Sequence, residues 1–377
     1  MHFSSILWLV WPWLVLDSLL RFVLLCLRAL VPAKRGAEAT TAAGGCVVLI
    51  AANDEAGTIG PTVAALEPHL AEWPGSSLWV VADRCQDSTA LEAKAAGANV
   101  ALRTAGRLGK GAVIDWWLQR YAEVWQGCAA VVVLDADSRL APGSLRALGR
   151  AITGGADAAQ AFIAPEASTN SGRLAGWSEV LMQRIDDEAR RRCGWQVPLR
   201  GTGMAIRGEL LAELTPRLHT LAEDLELDVL LASRGAKVAF VPEAVVFDPK
   251  PQKSSGVARQ RARWLQGQLQ VLRDYRPELL RALAQGGVGA WVLLWLLMLR
   301  PKTLLMALRL AMLVIGPWPL AVAGLAMDSF YYLAATKIVH NRRQYLTDLL
   351  AVPRYAAIWF CSLGLAAWRR GWLRAGR

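Results

Sequence analysis

Short apolar runs alternate with polar loops and helical stretches through the middle of the chain. Residues 47–50, 78–81 and 131–134 are three such runs, and each is followed by a polar loop and a stretch of helical character. Runs of this length that are apolar on both faces are typical of buried parallel strands. The pattern therefore predicts an α/β domain over residues 46–280.

The acidic residues of this region fall where the predicted strands end. In an open α/β sheet, ligands bind at the carboxyl ends of the strands, so we expect these acids to gather at one edge of the sheet. They are Asp54, Glu55, Asp83, Asp87, Asp135 and Asp137.

Both ends of the chain are apolar. Residues 6–31 are about as long as a bilayer span and are interrupted by Asp17 and Arg21. They predict a transmembrane helix within residues 1–33, which an Ala/Gly-rich linker at 34–45 follows. A cleaved signal peptide is the alternative, but no Lys or Arg precedes the apolar run and no small-residue cleavage site follows it.

The C-terminal region, residues 281–377, has the same character. Residues 303–339 carry Gly316 and Pro317 near their middle and predict a tight hairpin of two short spans, whereas 288–299 is too short to span alone. Residues 355–368 predict an interfacial helix or one more span. The two ends together predict an integral membrane protein of the bacterial inner membrane, with the central domain in the cytoplasm.

The distribution of charge along the chain indicates which kind of partner the protein binds. The chain has 42 Lys and Arg against 31 Asp and Glu, a formal charge of +11, and 54% of its residues are hydrophobic. Because basic residues such as Arg28, Lys34, Arg342 and Arg343 lie beside the apolar segments, the pattern favours a membrane surface and excludes nucleic acid as the partner. The six cysteines lack metal-ligand spacing and predict free thiols in a reducing compartment.

The tripeptide Asp135-Ala136-Asp137 follows the third apolar run. Two carboxylates one residue apart at a strand end supply the hard oxygen ligands that a divalent cation prefers. Such a cation acts as a Lewis acid on a developing diphosphate. A solvated turn between a strand and a loop is the alternative for this short motif.

Three further positions suit a nucleotide. Asp83 and Glu55 follow apolar runs, where an acid can accept hydrogen bonds from a base or a ribose. Asp87 and Ser88 are equally suited to cap the next helix. Lys110 lies between two glycines at a helix start, where backbone amides and an ammonium group can both meet a phosphate.

Two further segments, near residues 220 and 260, contain candidate catalytic and binding residues. Glu223 and Asp224 open a predicted helix, whose dipole favours acids there even without a catalytic role. A positioned carboxylate is what a hydroxyl nucleophile needs as its general base, and Asp224 is the candidate. Gln260, Arg263 and Trp264 share one face of a later helix, which suits diphosphate pairing and a sugar platform or, alternatively, core packing.

Taken in order, these motifs resemble the family 2 glycosyltransferases of the GT-A fold. The resemblance covers about residues 46–275 and is strongest to the membrane-bound branch, which includes cellulose, chitin and hyaluronan synthases and ceramide glucosyltransferase-like enzymes. It implies a Rossmann-like nucleotide-diphospho-sugar transferase domain, here with flanking transmembrane and interfacial helices. One departure is that Ala51-Ala52-Asn53-Asp54-Glu55 stands where the family has Pro-Ala-x-Asn-Glu.

The resemblance also implies roles for particular residues. Asp224 is the expected base, and Asp135 and Asp137 are the expected ligands of Mg²⁺ or Mn²⁺. The implied contacts to the nucleotide sugar, a UDP-sugar in most of the family, are those of Glu55, Asp83, Lys110, Asp135, Asp137, Gln260, Arg263 and Trp264. The implied acceptor site consists of Gly201, Thr202, Gly203, Glu223 and Trp264.

We therefore expect an inverting transferase that moves a sugar to a lipid or lipid-linked acceptor and forms a β-glycoside. A processive exopolysaccharide synthase that works with an export partner is the alternative within the same class. A non-catalytic scaffold that retains a nucleotide-binding fold is disfavoured because the motif acids are intact. A transporter is disfavoured because the largest segment has no apolar spans.

Overall fold

The computed structural model describes residues 3–33, 44–250, 254–297, 302–339, 341–353, 357–358, 361–362 and 365. Most of the predicted linker at 34–45 and most of the predicted helix at 355–368 lie outside these described residues. No disulfide joins any of the six cysteines, all of which lie within them.

A mixed sheet of eight strands forms the centre of the molecule, in the order β3-β2-β1-β4-β7-β6-β8-β5. Strands β1 to β4 run parallel to one another, β7 is antiparallel to β4 and β6, and β8 returns parallel to β6. The strands are β1 (Cys46–Ala52), β2 (Ser77–Asp83), β3 (Asn99–Arg103), β4 (Ala130–Leu134), β5 (Arg139–Leu140), β6 (Ala158–Glu166), β7 (Met204–Ile206) and β8 (Val238–Pro249).

Helices cover both faces of the sheet and continue at both ends of the chain. A π-helical segment, Met182–Asp187, joins two of them, and short 3-10 turns occur at Glu67–Glu72 and Thr215–Arg217. The helices are α1 (Phe3–Leu30), α2 (Ile59–Leu66), α3 (Thr89–Ala95), α4 (Lys110–Arg120), α5 (Ala122–Trp125), α6 (Ser144–Thr153), α7 (Asn170–Leu181), α8 (Glu188–Cys193), α9 (Gly208–Leu214), α10 (Glu223–Ser233), α11 (Ser254–Asp274), α12 (Arg276–Gln285), α13 (Gly287–Leu297), α14 (Lys302–Ile315), α15 (Trp318–Ala335) and α16 (Arg342–Leu349).

The apolar runs of the sequence form the middle of the sheet. Every residue of β4 is buried, and β1 is buried at six of its seven positions. Alternate side chains enter two apolar layers: Val131 and Val133 pack on one face, and Val132 and Leu134 on the other. Because both faces are covered by helices, these strands need apolar side chains at every position, which is the continuous pattern seen in the sequence.

The strand directions bring the candidate residues to one edge. Strands β1, β2 and β4 end there at Ala52, Asp83 and Leu134, and antiparallel β7 begins there, directly after Gly203. Strands β6 and β8 also run toward this edge. We call it the carboxyl edge of the sheet.

The first helix packs on the C-terminal helices through a buried ion network. Helix α1 lies against α8, α14 and α15. Arg309 of α14 donates to Asp328 of α15 (Nη1 to Oδ2, 2.8 Å) and to Asp17 of α1 (Nη2 to Oδ2, 3.0 Å), and Arg21 also pairs with Asp17. All four side chains are at most 2% exposed. The charges that interrupt the apolar run of α1 are therefore neutralised inside the protein.

This arrangement corrects the predicted localisation. Among the residues that the structure describes, we find no helix with enough length and apolar character for a membrane crossing. Helix α14 has 14 residues, and α15 has 18 but buries Asp328 in the ion network. Fourteen residues of α-helix reach about 21 Å, short of the roughly 30 Å of a hydrocarbon core. The prediction of an integral membrane protein, with spans in residues 1–33 and 281–377, is therefore wrong.

Replacing Arg309 by Met is expected to destabilise the fold strongly. Asp17 and Asp328 would stay buried without their shared partner, and breaking a buried pair in this way costs about 3 to 5 kcal/mol. The free energy of unfolding, measured in urea, would show the loss. Arg139→Met is the matched control, because Arg139 pairs with Glu166 on the exposed surface and its loss should cost about 1 kcal/mol or less. Equal effects of the two substitutions would contradict the proposed importance of the network.

Candidate active site

Lys110 is the cation at the centre of the carboxyl edge. The positive φ of Gly109 (108°) turns the chain into α4, and Lys110 is the first residue of that helix. Its ammonium donates to Oδ1 of Asp135 and, at 2.7 Å, to the carbonyl oxygen of Gly201. Burial favours the neutral lysine, but the charges of Asp135, Glu223 and Asp224 outweigh it and raise the pKa of Lys110. One ammonium group therefore ties together the end of β4 and the loop before β7.

The loop Gly201-Thr202-Gly203 carries this contact. Both glycines have positive φ, at 79° and 65°, a conformation that residues with a Cβ rarely adopt. A Cβ on Gly201 would lie 3.6 Å from Oδ2 of Asp224, and one on Gly203 would lie only 2.8 Å from a methyl group of Val246. The glycines therefore let the backbone pass between Asp224 and the sheet.

Thr202 holds the loop to the strand that carries the acids. Its buried hydroxyl accepts a hydrogen bond from the backbone N–H of Asp135 at 3.1 Å and contacts the hydroxyl of Ser138 at 2.9 Å. Its carbonyl oxygen accepts from Nε2 of the buried Gln160 at 3.0 Å. Thr202 thus fixes the position of the Asp135 backbone, rather than presenting a free hydroxyl to a ligand.

Glu223 and Asp224 face this loop from the first turn of α10. Asp224 Oδ1 accepts from the backbone N–H of Leu225 at 2.9 Å. Burial raises the pKa of Glu223 to about 7, and the neighbouring charge of Asp224 adds to the rise. Burial also raises the pKa of Asp224, while Lys110 and Arg263 act in the opposite direction. The pair therefore binds protons more tightly than ordinary carboxyl groups and is suited to accept one near neutral pH.

Helix α11 brings the predicted basic and aromatic residues to the same place. The charge of Arg263 favours the ionised forms of Asp135 and Asp224, and at Asp224 it opposes the burial that raises the pKa. Trp264 is 43% exposed, so its indole is not a core residue, and Gln260 is partly exposed. Of the two interpretations given to this segment, the packing of Trp264 in the core does not occur.

The residues predicted to meet the nucleotide base lie at or just after the ends of β1 and β2. Asp83 is buried and pairs with Arg103 (Oδ1 to Nη1, 2.6 Å) and with Arg84, so its carboxylate is engaged by two guanidinium groups. The backbone N–H of Glu55 donates to the hydroxyl of Thr89 at 2.7 Å. Asp87 accepts from the backbone N–H of Thr89, the first residue of α3, at 3.0 Å, while Ser88, the residue at the N-cap position, makes no side-chain capping bond.

Asp135 and Asp137 have the donor chemistry for a divalent cation. They flank the buried Ala136 directly after β4, and both side chains are partly exposed. Within the described residues, Lys110 bonds the Asp135 carboxylate at Oδ1, so Oδ2 can serve as a metal ligand. Two carboxylates with water and substrate phosphate are a normal ligand set for Mg²⁺. The residues present therefore fit such an ion.

A second group of ligand atoms lies at the ends of β1 and β2. Asp54, Cys85 and Asp87 place one such atom each within 4.8 Å of the others. Their carboxylates accept backbone hydrogen bonds: Asp54 from Gln86 at 2.8 Å and Asp87 from Ala56 at 3.1 Å. These contacts hold the two loops together, and this is the role that the geometry supports.

Asp228 and Lys250, two buried residues that help to hold the site in position, were not identified from the sequence. Asp228, one turn after Asp224 in α10, is buried and accepts from the backbone N–H of Leu199 at 2.8 Å, which ties α10 to the loop before β7. Lys250, after β8, is buried between Asp248 and Glu179, and its charge reaches Asp135. Asp228 lies four residues after Asp224, which was a usable signal. The contact between Lys250 and Glu179 joins residues too distant in sequence to be paired by inspection.

The structure therefore brings together most of the predicted site. Its members at the carboxyl edge are Lys110, Asp135, Asp137, Gly201, Thr202, Gly203, Glu223, Asp224 and Arg263. Asp83 is taken up by Arg84 and Arg103. Glu55 is held at the end of β1 through its backbone contact with Thr89.

Comparison with known proteins now adds a family and a fold. A family model described as glycosyl transferase family group 2 matches residues 130–339, more than half of the chain, and this range includes Asp135, Asp224 and Arg263. The match does not distinguish the membrane-bound branch from the rest of the family. A search of curated proteins by sequence finds no match.

Two solved structures show how far the likeness extends. A mannosyltransferase from Pyrobaculum calidifontis in complex with GDP-Man and Mn²⁺ is 17% identical, with a TM-score of 0.57 and coverage of 97% of this chain and 100% of that chain. A glucosyl-3-phosphoglycerate synthase from Mycobacterium tuberculosis in complex with Mg²⁺ and UDP is 21% identical over 55% of this chain and 71% of that chain, with a TM-score of 0.38. The first likeness shows the fold, and the predicted mixed α/β fold of the GT-A type is confirmed.

The raised pKa of Glu223 gives a stability prediction. Between pH 4.5 and about 7 the folded carboxyl keeps a proton that the unfolded one releases, so the stability of the wild type falls as pH rises through this window. Glu223→Gln removes this penalty and should raise the free energy of unfolding by about 2 kcal/mol at pH 8. At pH 4 the gain should nearly vanish.

Urea unfolding at both pH values measures this difference. The control is Glu213→Gln, which removes an exposed partner of Arg234 and should change stability little at either pH. A gain for Glu223→Gln that is independent of pH would show that the burial of this carboxyl does not perturb its titration.

Proposed function

Because this chain belongs to glycosyl transferase family group 2, we propose that it uses Asp224 as the general base of an inverting sugar transfer. The chain is a glycosyltransferase, and it takes its sugar from a nucleotide sugar. The observation that carries the proposal is the convergence of Lys110, Asp135, Asp224 and Arg263 at the carboxyl edge. Carboxylates and cationic side chains lie next to each other there. A transfer from a phosphate ester to a hydroxyl needs cations that stabilise the phosphate charge and a carboxylate that accepts the proton of the hydroxyl.

In the proposed mechanism, the diphosphate of the donor lies against Arg263. A guanidinium group bonds two phosphate oxygens at once, and its charge offsets the charge that develops when the sugar leaves. Asp135 and Asp137 would hold Mg²⁺ or Mn²⁺, a Lewis acid that neutralises the same diphosphate. Lys110 keeps Asp135 ionised and fixed to the Gly201 carbonyl. Trp264, with its exposed indole, is placed to contact a sugar ring.

Asp224 accepts the proton of the acceptor hydroxyl in this mechanism. Its carboxylate lies beside Gly201, where the missing side chain leaves room for the acceptor. Burial raises its pKa, so it is a stronger base than an exposed aspartate once it is ionised. Attack by the hydroxyl on the face opposite the leaving diphosphate inverts the anomeric carbon, so an α-linked donor yields a β-glycoside.

The acceptor class that we propose is a lipid or lipid-linked molecule. Large apolar side chains are exposed on α14 and α15, among them Val314 at 84%, Trp318 at 62% and Leu333 at 64%. Such a surface suits an acceptor with an apolar part. A processive polymerase that makes a polysaccharide is the alternative for the same active site.

A screen of donors and products tests the reaction. UDP-glucose, UDP-N-acetylglucosamine and GDP-mannose would be offered with Mg²⁺ or Mn²⁺ to the purified full chain and a lipid extract. Released nucleotide and the mass of the product are the readouts. We expect one donor class to support single additions to a lipid and a chelator to stop release. A ladder of long polymers would select the synthase alternative, and metal-independent transfer would contradict the metal site.

Asp224→Asn is expected to reduce transfer at least about 1,000-fold while nucleotide binding stays within about threefold, because the amide cannot accept the proton. Wild-type kcat/KM should fall on acidification at a pH above the ordinary pKa of aspartate, because burial raises the pKa of Asp224. Product formation across pH 5–9 and nucleotide titration measure the two effects. The control Asp115→Asn changes a carboxylate on a different helix, α4, and should leave transfer and nucleotide binding unchanged. Substantial transfer by Asp224→Asn would refute the base assignment.

A further inference from the structure

A basic cavity lies away from the carboxyl edge, between α1 and the sheet. It has a volume of about 180 Å³ and is lined by Arg28 of α1, Arg184 of the π-helical segment, Arg191 and Arg192 of α8, Glu188, and Phe240 and Pro242 of β8. One water molecule occupies about 30 Å³ of liquid, so the cavity can take a multi-atom ion. None of the residues at the carboxyl edge lines it.

The charges around this cavity do not balance. Glu188 accepts from Arg191 at 2.7 and 2.8 Å and from Arg192 at 2.8 Å, so one carboxylate serves two guanidinium groups. The other nearby carboxylate is Glu243, which is exposed and acts on Arg184 and Arg191. Among the described residues, four arginines therefore face two acids, and a dianion would balance their charge.

Arg28 and Arg184 account for the excess of positive charge around this cavity. Within the described part of the chain, neither forms an ion pair. Arg28 donates Nε to the carbonyl oxygen of Arg184 at 2.6 Å, and the Arg184 guanidinium lies 4.0 Å from the ring centre of Phe162. Burial and the nearby charge of Arg192 lower the pKa of Arg28, and burial lowers the pKa of Arg184. Two partly desolvated cations are thus held close together, and the carboxylate of Glu188 that acts on both is already bonded to Arg191 and Arg192.

Arg192 shows that the cluster is a built feature of the fold. Its Nη1 donates at 2.8 Å to the carbonyl oxygens of Arg28 and Val31, at the C-terminal end of α1. Helix ends leave such carbonyls without partners and carry partial negative charge. Arg192 therefore fixes the end of α1 and, with it, the backbone from which Arg28 projects.

A larger cavity adjoins the basic one. Its volume is about 650 Å³, and it shares Arg191 and Phe240 with the basic cavity. Trp195, Ala236, Val238 and Gly289 also line it. Because β6 and β8 begin there, this cavity lies at the edge of the sheet opposite the candidate active site. The apolar side chains of Trp195, Ala236 and Val238 in its lining suit the non-phosphate part of a ligand whose anionic group lies among the arginines.

We propose that the cavity between Arg28, Arg184, Arg191 and Arg192 binds a phosphate group. Guanidinium groups bond phosphate oxygens in pairs, and arginines from α1 and from the segment before α8 approach it from two sides. The phosphate is either a free anion or the head of an amphiphile whose apolar part occupies the adjoining cavity. In both cases it links α1 to the catalytic domain at a site separate from the diphosphate of the donor.

Calorimetry with inorganic phosphate and with decyl phosphate below its micelle concentration tests the site on the full chain. Arg28→Gln/Arg184→Gln should weaken the binding of both at least tenfold. The matched control, Arg120→Gln, removes an exposed arginine at the end of α4 and should change neither. Binding that survives the double substitution would place the anion elsewhere, at the donor site for example, and would overturn the proposal, as would no binding by the wild type.

The same titrations show whether the phosphate is a free anion or the head of an amphiphile. If the ligand is an amphiphile, decyl phosphate binds at least tenfold more tightly than phosphate, and Ala236→Phe, which fills the adjoining cavity, removes this gain. Equal affinities select a free anion.

A second measurement does not depend on folding of the double variant. Phosphate should slow the modification of Arg28 and Arg184 by phenylglyoxal at least fivefold in the wild type, as mapped by mass spectrometry, and leave Arg120 unaffected. Unchanged rates at Arg28 and Arg184 would overturn the proposal.

Discussion

The contact of Lys110 with Asp135 and the Gly201 carbonyl is the interaction on which the rest of the active site depends. Three carboxylates from two elements crowd the carboxyl edge, and like charges at this spacing repel each other strongly where water is partly excluded. The ammonium of Lys110 acts on Asp135, Glu223 and Asp224 together. It can do so because the glycines at 201 and 203 let the loop before β7 approach closely. Electrostatic balance and backbone geometry therefore fix the site jointly.

A second set of buried charges connects the ends of the chain to this site. Asp17, Arg21, Arg309 and Asp328 neutralise each other among α1, α14 and α15. From the same bundle, the Tyr331 hydroxyl donates to Asp186 at 3.0 Å, and the adjacent Asp187 pairs with Arg200, directly before Gly201. Asp186 and Asp187 both lie in the π-helical segment, a distortion that is often found at functional positions. The terminal helices therefore help to support the loop Gly201-Thr202-Gly203.

The molecule separates two regions that attract anions. Arg263 and Lys110 lie at the carboxyl edge among acids, so their charges are mostly balanced before a ligand arrives. The arginines near α1 lie away from that edge and exceed the acids around them. An anion at the first region would meet balanced charges, whereas one at the second would meet a net positive charge.

The sequence by itself determined the features that depend on neighbouring residues. Continuous apolar runs located β1, β2 and β4, because strands buried on both faces need apolar side chains throughout. The motifs of the sequence also singled out Lys110, Asp135 and Gly201, which the structure brings into contact. Only the tertiary structure decided which charges meet. Asp17 and Arg309 are 292 residues apart, so the charges that appeared to interrupt a membrane span are in fact an interior ion pair. Asp83 likewise lies at the predicted strand end, but its carboxylate is held by Arg103 on the next strand. Electrostatic pairing is set by distance in space, and a linear sequence carries little information about that distance.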